Sequence, residues 1–176
     1  MKIKKTPKKR RAQAKTDYLK RLKLLKSEKP RLVFRRTNKF VIVQYVTSYE
    51  AKDSIVFGIT SKELVNYGWD AKASNSLKSI SACYLTGYLI AKQIISKKLE
   101  QPIIDFGMLQ TLYKTKIFGF VKGVIDGGIN ISCKEEAFPE EARIKGENLK
   151  NKINFEQIKK NIDSNPFIKE KKGGKK

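Results

Sequence analysis

The distribution of charge along the chain is the feature that most restricts what it can fold into. Of 176 residues, 39 are Lys or Arg and 17 are Asp or Glu, so the formal net charge is +22. Residues 1–36 hold 16 basic and two acidic side chains, and residues 167–176 hold five lysines and one glutamate. The segment between them is nearly balanced and long enough to bury a core. The sequence therefore predicts a folded body with two cationic ends.

The two basic ends indicate a polyanionic partner. Neutralising phosphates releases condensed counterions, and Lys- and Arg-rich arms are typical of nucleic-acid-binding proteins. Solubilising tails are the plainer alternative, but basic residues outnumber acidic ones eight to one over residues 1–36, more than solubility requires. With no histidine and only Cys83 and Cys133, the sequence offers no zinc ligand set of Cys and His. It has no signal-peptide pattern and no apolar run of 18 residues, which predicts a cytosolic protein without a membrane partner.

The first basic segment also contains a helical pattern. We expect residues 1–15 to form a disordered arm, and Thr16 to cap a helix over 17–26. Its apolar side would hold Tyr18, Leu22 and Leu25, and its lysines, Lys20, Lys23 and Lys26, would lie largely opposite. A membrane-surface helix and a targeting presequence are alternatives, but the apolar stripe is only about three turns long and presequences favour Arg and Ser. We expect the helix to lie on RNA while its apolar side packs on the protein.

Strands dominate the start of the folded body. Residues 31–46 predict a β-hairpin with a basic turn at 36–39, and residues 54–60 predict a third strand. Thr60 followed by Glu63 matches a capping box, so we expect a short helix over 61–67 that ends at Gly68.

Helices and strands alternate along the rest of the chain. The predicted elements are a helix over 77–98 capped by Ser74, Asn75 or Ser76, a buried strand at 101–107, a helix over 116–126 stopped by Gly127-Gly128, a short strand at 129–131 and a helix from Pro139. The order β-β-β-α-β-α-β-α predicts an α/β (α+β-like) fold, in which helices pack on a small mixed sheet opened by a hairpin. The predicted units are the arm (1–15), an α/β domain (16–150) and a lysine-rich extension (151–176).

Five phrases occur in an order that resembles one protein family. They are KTDYLKRLKLLKSEKPRLVFRRTNKFVIVQ (15–44), YGW (67–69), AxYLTGYL (82–89), KGVIDGGINI (122–131) and FPEEARIKGENL (138–149). Together they are similar to the large-subunit ribosomal proteins that carry 5S ribosomal RNA, family L-eighteen, in its archaeal and eukaryotic branch, whose eukaryotic members are named L-five. The resemblance covers about residues 8–150, and the length suits an archaeal member.

The resemblance implies a function and a set of partners. It implies that the 16–150 domain binds 5S rRNA with the arm and a sheet-side surface, and helps attach it to large-subunit rRNA in the central protuberance. The second 5S-binding ribosomal protein and other central-protuberance proteins are then further partners, with no cofactor. Positions matched to the family's RNA-facing regions are Lys8, Lys9, Arg10, Arg11, Lys15 and Arg21 in the arm and first helix, Arg31, Arg35, Arg36, Asn38 and Lys39 in the hairpin, and Trp69, Lys72 and Asn75 before the long helix. The loops at 70–76 and 105–119 depart from the family's pattern.

The residue types themselves point to the same chemistry. Arg binds phosphate through two donors and stacks on bases, so Arg10, Arg11, Arg35 and Arg36 are the better candidates for specific contacts. Tyr18 and Trp69 are candidates for stacking on unpaired bases, and packing on the core is the alternative for each. Tyr84 and Tyr88 belong to an apolar helix, and we expect them in the core.

Two other functions are compatible with parts of the sequence. A general nucleic-acid-compacting protein would need only charge. A metal-dependent nuclease would need clustered carboxylates, for which Asp70, Asp105 and Asp126 are the candidates. Solvated caps and turn positions are the much better explanation for those three residues, and no phosphate-binding GxxxxGK[ST] loop or histidine is present. We therefore do not expect an enzyme.

Overall fold

A computed structural model describes residues 6–70, 77–147 and 153–167 of the chain. The helices are α1 (Lys9–Ala12), α2 (Tyr18–Lys26), α3 (Ile80–Ser96), α4 (Lys116–Asp126), α5 (Glu141–Lys145) and α6 (Phe155–Ser164). The strands are β1 (Arg31–Arg36), β2 (Val41–Tyr49), β3 (Lys52–Thr60) and β4 (Ile103–Asp105). Among the described residues, Ser61–Tyr67 and Glu135–Ala137 form 3-10 helices.

The strands form one mixed sheet in the order β3-β2-β1-β4. The β1–β2 and β2–β3 pairs are antiparallel, and β4 pairs with β1 in parallel. Because side chains alternate along a strand, β1 presents Leu32 and Phe34 to one face of the sheet and Arg31 and Arg35 to the other. Leu32 and Phe34 are buried, and α3 and α4 cover their face. This confirms the predicted mixed sheet with a hairpin start and packed helices.

Two glycines let α3 and α4 approach each other closely. A Cβ atom on Gly123 would lie 2.0 Å from the carbonyl oxygen of Tyr84, and one on Gly87 would lie 2.5 Å from that of Phe120. Both neighbours are backbone atoms of the facing helix, so a side chain at either position would force the helices apart. The predicted helix over 116–126 is confirmed residue for residue, and Tyr84 and Tyr88 are buried as expected.

Several helix ends differ from the predicted ones. The side chain of Asp17, not Thr16, caps α2 by accepting from the amides of Leu19 and Lys20. Ser79 caps α3 through the amide of Ala82, and the predicted cap residues at 74–76 lie outside the described part of the chain. Within the predicted arm, Lys9–Ala12 forms one helical turn.

Three further corrections concern the second half of the chain. Residues 129–131 are not a strand; Ile129 instead enters the core after Gly128 turns the chain with a φ of 106°. The helix expected at Pro139 begins at Glu141. The extension from 151 contains α6, which buries Phe155, Ile158 and Ile162 against the core. These apolar residues recur at helical spacing among lysines, so burial of one face stabilises a helix where the composition indicates only a polar tail.

The remaining expectations concern cysteines and the membrane. Cys83 is a buried, unpaired core residue, as predicted, and Cys133 is also free. Burial raises the pKa of the Cys83 thiol to about 12. In the described segments, no helix is both long and apolar enough to cross a bilayer.

Candidate nucleic-acid interface

The candidate interface begins with α2, which lies over the sheet face opposite α3 and α4. Lys20 Nζ donates to the carbonyl of Gly107, just after β4, at 3.1 Å. Arg21 Nη1 pairs with Asp53 Oδ2 at 2.9 Å, on β3 at the other edge of the sheet. Helix α2 is thus anchored to both sheet edges by cationic side chains.

The apolar side of α2 packs on the protein only in part. Of its predicted residues, Tyr18 and Leu25 are half-buried, whereas Leu22 is 51% exposed, and α2 has no fully buried residue. Leu19 is 68% exposed. Lys20, expected on the far side, instead contacts the body, because its long side chain reaches the carbonyl of Gly107.

Beneath α2, Arg31 occupies the centre of an ion-pair network. Its guanidinium donates to Asp53 Oδ1 at 2.6 Å, to Asp105 Oδ2 at 3.1 Å and to Ser48 Oγ at 3.1 Å. Arg31 is 3% exposed. Burial alone would raise the pKa of Asp53, but hydrogen bonds from Arg21, Ser48 and Arg31 hold it at about 2. We call these four charged residues, Arg21, Arg31, Asp53 and Asp105, the Arg31 network.

The Arg31 network balances its own charge, since it holds two arginines and two aspartates. Asp105 also accepts from the amide of Gly107. The sequence predicts Arg31 as RNA-facing, but the structure buries it and commits its guanidinium to two carboxylates. We therefore leave Arg31 out of the interface and assign it to the attachment of the sheet to α2.

Above the network, cationic residues from three elements line one cleft of about 110 Å³. We call it the arm cleft; its basic residues are Arg10, Lys15, Lys20, Arg21 and Arg35. Its two acids are already engaged, Asp17 with the first amides of α2 and Asp105 with Arg31. The cleft therefore presents an excess of positive charge, which suits a phosphate group.

The arm is folded back onto α2 by two contacts. Arg10 Nε donates to Thr16 Oγ1 at 2.9 Å, and Lys8 Nζ lies 4.6 Å from the centre of the Tyr18 ring. Lys9 and Arg11 are exposed beside them. These contacts place residues of the arm next to Arg35 on β1, although the two segments are far apart in the sequence.

Apart from Arg31, which is buried in its network, the predicted site residues fall into three groups. Those exposed on or next to the arm cleft and hairpin are Lys8, Lys9, Arg10, Arg11, Lys15, Arg35, Arg36, Asn38 and Lys39, and Tyr18 and Arg21 are half-buried there. Trp69 is 2% exposed in the core, so it packs instead of presenting a stacking surface. Lys72 and Asn75 lie outside the described residues. Lys20 is the cleft residue that the sequence reasoning missed, because its helical position alone placed it on the solvent side.

The candidate nuclease carboxylates are not brought together in the described part of the chain. Asp105 belongs to the Arg31 network, whereas Asp126 accepts from the Tyr84 hydroxyl and pairs with Lys122. Within residues 6–70, 77–147 and 153–167, no cluster of three or more Asp, Glu, Cys or His could hold a metal ion.

Comparison with known proteins identifies the family. The model of the family described as ribosomal large subunit proteins 60S L5 and 50S L18 matches residues 2–102. The large ribosomal subunit protein uL18 of Korarchaeum cryptofilum is 41% identical over 140 residues, covering 80% of this chain and 70% of the relative. That of Methanobrevibacter smithii is 36% identical over 186 aligned residues, covering 90% and 94%, and that of Thermoplasma acidophilum is 37% identical over 147, covering 84% and 88%.

The chain therefore belongs to this family of large-subunit ribosomal proteins, which confirms the resemblance seen in its motifs. It is a structural protein of the large ribosomal subunit, located on the ribosome in the cytoplasm, with ribosomal RNA and ribosomal proteins as its class of partners. Its relatives are structural proteins and not enzymes, as the sequence predicts.

Proposed function

We propose that the protein binds 5S ribosomal RNA through the arm cleft and the adjoining hairpin. In this role it helps attach 5S rRNA to the large-subunit rRNA in the central protuberance, beside the second 5S-binding ribosomal protein. The observation that carries the proposal is the charge balance of the α2-covered face. The Arg31 network, which includes Arg21 and Asp105, neutralises itself. The other four cleft cations, Arg10, Lys15, Lys20 and Arg35, form no ion pair in the described residues, and the one other acid of the cleft, Asp17, caps α2.

The geometry suggests how RNA would be held. Arg10 and Arg35 come from the arm and from β1, so a phosphate between them would tie the arm to the sheet. The arm and the hairpin add further exposed cations, Lys9, Arg11 and Lys39. RNA is recognised largely by shape and backbone, so a fixed set of cations on a rigid sheet favours one folded RNA over others.

The proposed preference for 5S rRNA is tested by competition. Labelled 5S rRNA bound to the protein at about 0.15 M salt is challenged with equal masses of unlabelled 5S rRNA, transfer RNA or duplex DNA. We expect 5S rRNA to compete at least tenfold better than the other two, because placed contacts add to the general attraction. Equal competition by all three would contradict the proposal and favour a general compacting protein.

A further inference from the structure

We infer that a second cationic cleft, at the start of α4, binds a phosphate and an unpaired base of ribosomal RNA. This α4 cleft has a volume of about 510 Å³, and its basic residues are Arg36, Lys114, Lys116 and Arg143. The inference rests on the proposed function only in taking RNA as the partner. It concerns a different surface from the arm cleft, with which it shares one lining residue, Met108.

The two clefts lie on opposite faces of the sheet. Arg35 and Arg36 are neighbours on β1, and neighbouring side chains of a strand point to opposite faces. Accordingly, Arg35 lines the arm cleft and Arg36 lines the α4 cleft. The end of β1 thus supplies one arginine to each.

The α4 cleft carries no compensating negative charge. Its lining residues include no Asp or Glu, and none of its four cations forms an ion pair in the described part of the chain. Four uncompensated cations around one cleft repel one another, and an anion in the cleft would relieve that repulsion. The Arg31 network differs in this respect, because there two aspartates neutralise the two arginines within the fold.

The N-terminus of α4 adds to the positive potential of the cleft. The hydroxyl of Thr115, at the N-cap position, donates to the carbonyl of Leu112 at 2.7 Å and does not cap the helix. No acidic residue occupies the first turn, and Lys116 stands there instead. A lysine at the positive end of a helix dipole is unfavourable unless an anion binds close by.

Burial is the main cause that lowers the pKa of Lys116; the nearby Cys83 acts against it, and the charges of Arg36 and Lys78 add to it. A bound phosphate would act in the opposite direction and favour the charged ammonium group. An anion bound in the cleft would therefore stabilise the charged forms of several of its basic side chains at the same time.

The apolar lining indicates the kind of anion. Met108 and Leu112 are 51% and 60% exposed at the rim, above the buried Phe34 and Ile117. Gln110 supplies an amide beside them. A nucleotide has a charged phosphate, a flat apolar face and a polar edge, and it matches this combination of lining groups. Free inorganic phosphate would leave the apolar rim unused.

The inference is tested with two triple variants that remove the same charge. The α4-cleft variant carries Lys114→Gln, Lys116→Gln and Arg143→Gln. The control carries Lys62→Gln, Lys98→Gln and Lys160→Gln, three exposed lysines that line neither cleft. Binding to 5S rRNA and to protein-free large-subunit rRNA is measured against salt concentration. Thermal unfolding checks that each variant folds, and the single variant Lys114→Gln replaces the triple if it does not.

We expect the α4-cleft variant to lose about tenfold or more in affinity for at least one of the two RNAs. The slope of log K against log salt should fall by about 1 or more, one phosphate contact being worth roughly 0.7 to 0.9. Losses equal to those of the control for both RNAs would overturn the inference. This result would leave the 5S preference of the unaltered protein, and hence the proposed function, untouched.

A second experiment identifies the occupant in the intact assembly. Leu112 is replaced by p-benzoylphenylalanine, the protein is incorporated into large subunits, and cross-linked products are digested with ribonuclease or protease. A cross-link to a ribosomal RNA nucleotide is expected. A cross-link to protein alone would overturn the inference and assign the cleft to an acidic peptide segment, whatever RNA the arm cleft binds.

Discussion

The two faces of the sheet are joined to their helices by different kinds of contact. On one face, Leu32 and Phe34 pack beneath α3 and α4, whose backbones touch at Gly87 and Gly123. On the other, α2 buries no residue and is held by Arg21 and Lys20 at the two sheet edges. The first face fixes the fold by apolar packing. On the second face, some cations are neutralised by aspartates and others remain available to a partner. The total charge of this region therefore does not identify the residues that bind.

The largest effect is expected on the apolar face. Replacing Gly123 by Ala puts a methyl group against the Tyr84 carbonyl, so α3 and α4 must separate. We expect the free energy of unfolding to fall by about 3 kcal/mol, measured by urea denaturation. Gly119→Ala in the same helix is the control. Its methyl group would meet the γ2-methyl group of Ile80 at 2.9 Å and no backbone atom nearer than 3.5 Å, so the loss should be smaller. Equal losses would show that the glycines are not packing positions.

The next effect separates the two kinds of arginine on β1. Arg31→Met leaves Asp53 and Asp105 without their buried partner, and we expect a loss of about 2 kcal/mol in unfolding free energy. Arg35→Met removes an exposed cation of the arm cleft, so stability should change by less than about 0.5 kcal/mol while RNA affinity falls. Urea denaturation and RNA titration of both variants check this. If Arg35→Met destabilised as much as Arg31→Met, the division into structural and binding arginines would fail.

A smaller effect concerns pH. The pKa of Asp53 is about 2 in the folded protein against an ordinary value of 3.8, so its carboxylate stabilises the fold above pH 4. This stabilisation is lost as pH falls from about 4 towards 2, because in that range Asp53 takes up a proton in the unfolded state more readily than in the folded state. With allowance for solvent screening, we expect about 1 kcal/mol. Asp53→Asn should reduce the loss of stability between pH 5 and pH 2.5 by that amount, measured by urea denaturation at each pH. An unchanged acid profile would mean that Asp53 does not anchor α2.

The sequence predicts most of the apolar face and less of the polar one. Helix α4 could be delimited because Gly127-Gly128 follow a clear 3.6-residue pattern, and the hairpin because β-branched residues flank a polar turn. The order of the strands in the sheet could not be predicted, because it depends on which strands pair. The segment 129–131 is too short for its sequence to distinguish a strand from a buried loop. Helix α6 could have been found from the spacing of Phe155, Ile158 and Ile162, but its lysines dominate the composition.

The candidate site shows the same limit. That the N-terminal region is cationic is plain from the sequence, yet whether Arg31 or Arg35 faces solvent depends on aspartates that lie far away in the sequence, Asp53 and Asp105. The alternation of side chains along β1 predicts that Arg35 and Arg36 lie on opposite faces of the sheet. It does not predict which of the two faces α2 covers. The basic residues of the α4 cleft come from three separate segments, Arg36 from the first, Lys114 and Lys116 from the second and Arg143 from the third, and only the fold gathers them into one cleft.

The most direct test of the account compares equal charge removal inside and outside the arm cleft. The variant Arg10→Gln, Lys15→Gln, Arg35→Gln and the control Lys62→Gln, Lys98→Gln, Lys160→Gln each lose three positive charges, and 5S rRNA binding is titrated across salt concentrations. We predict that only the arm-cleft variant lowers the salt slope by about 2 and weakens binding more than tenfold. Equal losses in the two variants would contradict the claim that these unneutralised cations, and not the overall charge, hold the RNA.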